Sequence, residues 1–292
     1  MFEGVHTAII TPFKNGSVDI ESLEKIIEMQ IEGGIDGIVP AGSTGESSTI
    51  SFDEHERLIH EVVRIVRGRV KVIAGTGANS TSEAVHLSKS AADAGVDGVL
   101  QVNPYYNKPT QNGLIAHFEK VANSVPVPVV LYNIPGRTSV NFLPESVNEL
   151  LGRTDNIAAM KEASGDINQM MRLIELCGNK ISVLSGDDNL FLPLLSVGGN
   201  GLISVLSNML PFDLKRIYTL FVSGKFSEAR DRFYKLLPLC RAVFIETNPI
   251  PIKAVMSMAG YCGDEMRLPL LPLDAGKRDE IRKLFNERGV KL

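Results

Sequence analysis

The chain has 292 residues, 44% of them hydrophobic and 22% charged, with a formal net charge of −4. That composition suits a globular chain with a large buried core, and the length fits one large α/β domain or two ordinary ones. The basic residues are dispersed and outnumbered by acidic ones, which argues against a nucleic-acid or anionic-membrane partner.

No stretch approaches the ~18 uninterrupted apolar residues of a membrane span. The opening residues Met1-Phe2-Glu3-Gly4-Val5-His6 lack the basic and apolar regions of a signal peptide. Cys177, Cys240 and Cys262 are widely spaced, with no CxxC or Cys/His pattern. They read as reduced thiols of a cytoplasmic protein, with no metal site among them.

In chain order, residues 5–10 form a first strand, ended by Thr11-Pro12, and Lys14-Asn15-Gly16-Ser17 makes a turn. Asp19 caps a helix with Leu23, Ile26, Ile27 and Gln30 at helical spacing, stopped by Gly33-Gly34. Residues 37–40 form a second strand, and Gly42-Ser43-Thr44-Gly45-Glu46 follows. Ser51 opens a helix to about Val66, and residues 70–74 form the third strand.

The alternation continues with a helix capped at Ser80 or Thr81, a strand at 98–102 and a helix at 111–124. A strand at 128–132 runs into Asn133-Ile134-Pro135-Gly136-Arg137-Thr138, and a helix spans 144–151. Strands at 157–161, 181–185 and 201–205 enclose two more helices, the first at 167–177 and the second starting at Asp188 or Asn189. Four helices then occupy 211–221, 225–242, 251–258 and 275–288.

Eight strand-like runs alternating with helices at about 25-residue spacing predict a (β/α)8 barrel, a TIM barrel, with a C-terminal helical extension. A doubly wound open sheet is the alternative, disfavoured because no GxGxxG follows the first strand. The expected division is 1–223 for the barrel and 224–292 for the extension.

The candidate chemistry centres on Ile157-Ala158-Ala159-Met160-Lys161, an apolar run ending in a lysine. Burial disfavours an ammonium, lowers its pKa and frees an amine to attack a carbonyl. Barrel active sites sit at the carboxyl ends of the strands. Those ends are Thr11, Ser43-Thr44, Asn79, Tyr105-Tyr106, Tyr132, Lys161, Asp187 and Ser204. One lysine among hydroxyls suits Schiff-base chemistry, with the hydroxyls relaying protons. Singly, each residue has an ordinary alternative. Tyr132 could pack at the barrel rim, Tyr105 and Tyr106 could cover an interface, and Arg137 could be a solvated surface residue. Gly42-Ser43-Thr44-Gly45 could be a plain turn, or a loop whose N–H groups hold a carboxylate.

With these residues in view, the sequence resembles the pyruvate-dependent class I aldolases and N-acetylneuraminate lyases, and within them the dihydrodipicolinate synthases. The resemblance runs from Gly4 to about Pro272. It is carried by Thr11-Pro12-Phe13, residues 42–47, residues 74–79, residues 104–109, residues 132–138, Lys161-Glu162, residues 185–188 and residues 246–251.

It implies that Lys161 forms an imine with pyruvate and that Tyr132 moves protons over it. Ser43 and Tyr106 link Tyr132 to solvent, Tyr106 reaching in from a neighbouring subunit. Thr44 helps hold the pyruvate carboxylate, and Arg137 binds the carboxylate of aspartate 4-semialdehyde. Gly186 and Ile203 line the pocket through their backbone. It further implies the diaminopimelate route to lysine, no metal or organic cofactor, and a homotetramer built as a dimer of dimers.

Most such synthases carry Thr-Thr where this chain has Ser43-Thr44, and Gly-Ser-Thr-Gly-Glu is the form typical of N-acetylneuraminate lyases. Serine keeps the hydroxyl a relay needs. Arg137 and the Tyr105-Tyr106 pair speak for the synthase, because the sialic-acid lyases lack that arginine. The competing function is a sister aldolase acting on a sugar acid, N-acetylneuraminate or a hydroxyglutarate-type substrate. A catalytically dead barrel kept as a binding protein is disfavoured by the presence of Lys161, Tyr132 and Tyr106. In lysine-sensitive relatives the inhibitor binds at positions matching Ser47, Ser48, Phe52, His55, Asn79, Glu83 and Tyr105. There Glu83 offers an anion, while Phe52 departs from the histidine frequent in them.

Overall fold

In a computed structural model the described residues are 2–292. Eight parallel strands alternate with helices. They are β1 (Gly4–Ala8), β2 (Gly37–Val39), β3 (Lys71–Gly75), β4 (Gly98–Val102), β5 (Val129–Asn133), β6 (Ile157–Glu162), β7 (Ser182–Ser185) and β8 (Gly201–Ser204). They hydrogen-bond in the order β1-β8-β7-β6-β5-β4-β3-β2 as a closed barrel, as the alternating pattern predicts. Nearly every strand residue is buried, which explains why the runs are continuously apolar rather than alternating.

The helices that follow the strands are α1 (Ile20–Glu32), α2 (Phe52–Val66), α3 (Thr81–Asp93), α4 (Gln111–Ala122), α5 (Pro144–Leu150), α6 (Ile167–Cys177), α7 (Phe191–Ser196) and α8 (Pro211–Val222). Three more complete the chain, α9 (Phe226–Ala242), α10 (Ile250–Met258) and α11 (Ala275–Glu287). Among the described residues no helix is long and apolar enough to cross a membrane.

By its internal contacts the chain groups into two compact units. One holds Lys71–Ile203 with residues 2–4. In it β3 to β8 pair in parallel, with a register shift between Val129 and Val130 of β5, beyond which Tyr132 stands opposite Lys161 of β6 and Asn133 opposite Glu162. Gly201, at the start of β8, meets the backbone of Gly4 so closely that any Cβ would collide with the Gly4 carbonyl oxygen.

The other unit holds Val5–Val70 and Ser204–Leu292. Here β1 and β2 pair with His6 opposite Gly37. The Asp19 side chain accepts from the Ser22 N–H to start α1, and Ser51 and Glu54 form a capping box at the start of α2. Gln30 of α1 is fully buried. It accepts from Thr7 Oγ1 at 2.6 Å and donates to the carbonyls of Ser207 and Asn208 at 3.0 and 2.9 Å. In the C-terminal part α8 packs on α9, and α11 packs on α9 and α10.

Two segments differ from the sequence reading. The turn at 14–17 is the tip of a two-stranded hairpin, with Phe13 opposite Val18 and Lys14 opposite Ser17. Asn15 and Gly16 both have positive φ, 54° and 78°, the geometry an Asn-Gly hairpin turn demands. Residues 135–138, read as a connecting segment, form a single helical turn, Pro135–Thr138. Proline at the first helical position favours it, since its missing N–H costs nothing there.

Candidate active site

Lys161 lies near the end of β6, 5% exposed, with Nζ 4.2 Å from the centre of the Tyr132 ring. The pairing register sets this meeting, because Lys161 and Tyr132 are directly opposite on adjacent strands. Gly186, just past β7, makes room for the lysine stem. A Cβ there would stand 2.6 Å from Ala163 Cβ and 3.0 Å from Lys161 Cε.

Burial pushes the Lys161 pKa down to about 8 from an ordinary 10.5. The charges of Asp187 and Asp188 pull it back up, and Arg137 adds to the depression. The Tyr132 ring face also favours the ammonium, yet desolvation wins. Asp187 moves the other way. Burial lifts it to about 6, against the pull of Lys161 and with help from Asp188 and Glu162. A lysine that gives up its proton near pH 8, within electrostatic reach of a carboxyl whose own pKa is raised, can attack a carbonyl and pass protons on.

Ile203 of β8 is fully buried. Arg137 is exposed on the helical turn Pro135–Thr138 and within electrostatic reach of Lys161. Tyr106 is 90% exposed with a φ of 72°, a strained conformation for an aromatic residue, and Tyr105 beside it is 39% exposed. Asn79 is half-buried, its carbonyl accepting from Asn107 Nδ2 at 2.8 Å, and Glu83 is exposed in the first turn of α3.

The other unit carries Ser43 and Thr44, in a tight turn where the N–H groups of Gly45 and Ser47 donate to the Gly42 carbonyl. Thr44 is buried, its hydroxyl accepting from Asn248 Nδ2 at 3.0 Å, and Ser43 is half-buried. Ser47 is half-buried and Ser48 exposed, Phe52 is 49% exposed, and His55 is buried.

Sequence reasoning missed two buried polar groups. Glu46, at the end of the Ser43 turn, pairs with Lys253 Nζ at 2.5 Å, both side chains 1% exposed. Glu46 Oε2 also accepts from the Arg267 N–H at 3.2 Å. The partners lie 207 residues apart, so no local spacing reveals them. Glu162 and Asn133 form the second group, fully buried one residue beyond Lys161 and Tyr132. A polar residue closing an otherwise apolar strand was the available signal there.

Among the described residues no three His, Cys, Asp or Glu side chains gather as a metal site. A desolvated amine at the carboxyl end of a barrel strand, against the face of a tyrosine ring, marks a barrel enzyme of imine chemistry. Comparison with known proteins narrows this class. A model of the Dihydrodipicolinate synthetase family matches residues 1–288, and the chain belongs to that family.

A curated 4-hydroxy-tetrahydrodipicolinate synthase from Leptospira biflexa is 53% identical over 283 residues, 97% of this chain and 96% of its own. Among solved structures, the chloride-inhibited dihydrodipicolinate synthase of Acinetobacter baumannii complexed with pyruvate superposes with a TM-score of 0.96. It shares 40% identity and covers 99% of this chain and 100% of its own. The enzyme of Cyanidioschyzon merolae with lysine bound gives a TM-score of 0.96 at 41% identity, covering 99% of each chain.

Proposed function

We infer that the chain is a lyase, a 4-hydroxy-tetrahydrodipicolinate synthase. It condenses pyruvate with L-aspartate 4-semialdehyde through an imine, in the diaminopimelate route to lysine. Relatives of that name at about half identity over nearly the full chain support the activity. The observation that carries the mechanism is Lys161, buried under Tyr132 with its pKa brought down to about 8.

In this reading the free amine of Lys161 attacks the pyruvate ketone and water leaves. The resulting imine acidifies the pyruvate methyl, the enamine adds to the semialdehyde carbonyl, and the semialdehyde's own amino group then closes onto the imine carbon and expels the Lys161 amine. Tyr132 moves the protons, relayed by Ser43 and by Tyr106 of a neighbouring subunit. The strained, exposed Tyr106 suits a side chain held out for another chain. Thr44 and its turn hold the pyruvate carboxylate, while Gly186 and Ile203 line the pocket through their backbone. The covalent imine supplies the electron sink, so the reaction calls on no further cofactor. A pyruvate complex of a relative supports that first substrate. The three cysteines, two of them buried and none in a disulfide, fit a reducing cytoplasm. We assign residues 224–292 as the helical extension of the barrel, in a homotetramer.

Arg137 separates this function from a sister aldolase, because a semialdehyde with a carboxylate needs a cation and a polyhydroxy substrate does not. In a coupled assay with pyruvate and aspartate semialdehyde, Arg137→Ala is expected to lower kcat/KM roughly tenfold to a thousandfold and raise the semialdehyde KM. An unchanged semialdehyde KM and rate would favour the sister aldolase.

Regulation by L-lysine at Ser47, Ser48, Phe52, His55, Asn79, Glu83 and Tyr105 completes the reading. A relative solved with lysine bound supports it. Exposed Glu83 offers the anion for a lysine ammonium, and Tyr105 and His55 can donate to its carboxylate. Partial inhibition lost in Glu83→Ala is the expected result. No heat of binding and no inhibition at high lysine would remove the site.

A further inference from the structure

Side chains alternate along a strand, so the residues following Tyr132 and Lys161 point to the opposite face from the amine. These are Asn133 and Glu162, opposite one another in the β5–β6 register and both fully buried. The matching positions on the flanking strands are also polar and buried, Asn103 just past β4 and Ser185 at the end of β7.

The hydrogen-bond partners of the Glu162 carboxylate are all neutral donors, although Asp187 lies within its electrostatic reach. The Ser164 N–H donates to Oε1 at 2.6 Å, Asn133 Nδ2 to Oε2 at 3.0 Å, and Gln169 Nε2 to Oε2 at 3.2 Å. Asn133 Nδ2 also donates to Asn141 Oδ1 at 2.8 Å. Its own Oδ1 accepts from Asn103 Nδ2 at 2.8 Å and from the Phe142 N–H at 2.9 Å. Burial lifts the Glu162 carboxyl above its ordinary value, and these donors pull the other way. A buried carboxylate is an expensive way to fill space, so one ringed by donors calls for a reason beyond packing.

The connectivity suggests the reason. The chain leaves β5 at Asn133, makes the helical turn that carries Arg137, and returns to Asn133 through the Phe142 N–H. On the way Thr138 Oγ1 and Asn103 Nδ2 both donate to the Val140 carbonyl, at 2.9 and 3.2 Å. One cluster therefore clamps the strand of Lys161, the strand of Tyr132 and both ends of the Arg137 segment.

We propose that Glu162 and Asn133 are positioning residues, a buried carboxylate–amide clamp that fixes Tyr132 against Lys161 and holds Arg137 for the second substrate. This rests on the roles given above to Lys161, Tyr132 and Arg137. Displacing a catalytic group by about an ångström costs rate out of proportion to the change in fold.

Glu162→Gln tests it, because an amide must turn its NH2 toward at least one of the donors. In the full chain, folded by circular dichroism, kcat should fall by about tenfold to a hundredfold. The semialdehyde KM should rise several-fold with the pyruvate KM little changed. Borohydride trapping of pyruvate on Lys161 should be slower but complete. Combining Glu162→Gln with Asn133→Asp moves the carboxylate to the other strand and should restore much of the lost kcat, a recovery that a purely structural role does not predict. If Glu162→Gln fails to fold, Gln169→Leu, at the half-buried rim of the cluster, should give a smaller loss with the same split between the two KM values.

A folded Glu162→Gln, or Gln169→Leu, with kcat and both KM values within about twofold of wild type would overturn the clamp while wild type still traps pyruvate. A swap that recovers nothing would overturn it too. A wild-type chain that traps no pyruvate on Lys161 would instead overturn the reading on which the clamp rests.

Discussion

At the scale of single residues the chemistry turns on an ammonium that the fold disfavours. Lys161 titrates near 8 in the folded chain and near 10.5 when unfolded, so the unfolded state holds its proton more tightly. The destabilisation is therefore fully present below pH ~8. It is relieved as pH rises from about 8 toward 10.5, the folded chain shedding a proton that the unfolded chain keeps. Replacing Lys161 by Met removes the buried charge and keeps most of the volume. Urea unfolding at pH 7 should show Lys161→Met more stable than wild type by up to about 3 kcal/mol, and the gap should narrow by pH 10. A less stable Lys161→Met at pH 7 would mean that Asp187, Asp188 and the Tyr132 ring hold the ammonium better than burial disfavours it.

At the scale of elements, the sequence was most readable where periodicity and end signals agreed. Asp19 and the Gly33-Gly34 stop bound α1, and Ser51 opens α2, where the spacing placed them. Strand ends shifted by a residue or two because β-pairing, not composition, ends a strand. Glu162 thus belongs to β6 although its charge reads as a break. The hairpin at 13–18 was legible in principle from Asn15-Gly16, but two-residue strands carry too little alternation to register.

Buried polar pairs between distant elements left no local trace, and Glu46 with Lys253 is the clearest case. Burial holds the Lys253 ammonium below its ordinary value even with Glu46 against it. Removing one partner strands the other, so Lys253→Met should cost about 3–5 kcal/mol in equilibrium unfolding. Adding Glu46→Gln should recover part of it. A loss under ~1 kcal/mol would mean that the Arg267 N–H and local relaxation suffice for Glu46.

At the scale of the whole molecule, eight repeats of one pattern made the barrel legible, since each strand–helix unit repeats the same apolar run and turn chemistry. The amine and its aromatic cover were legible for the same reason, because both sit at strand ends. The clamp behind them was not, because it depends on which side chains face away from the amine. The central claim, that one lysine among the chain's lysines is the nucleophile, has a direct test. The whole chain is incubated with pyruvate, reduced with borohydride, weighed intact and mapped by peptide. The expected result is one reduced pyruvyl group per chain, on Lys161, with activity lost in step and no adduct in Lys161→Arg, whose guanidinium stays protonated. An adduct on any other lysine, or none at all, would contradict it.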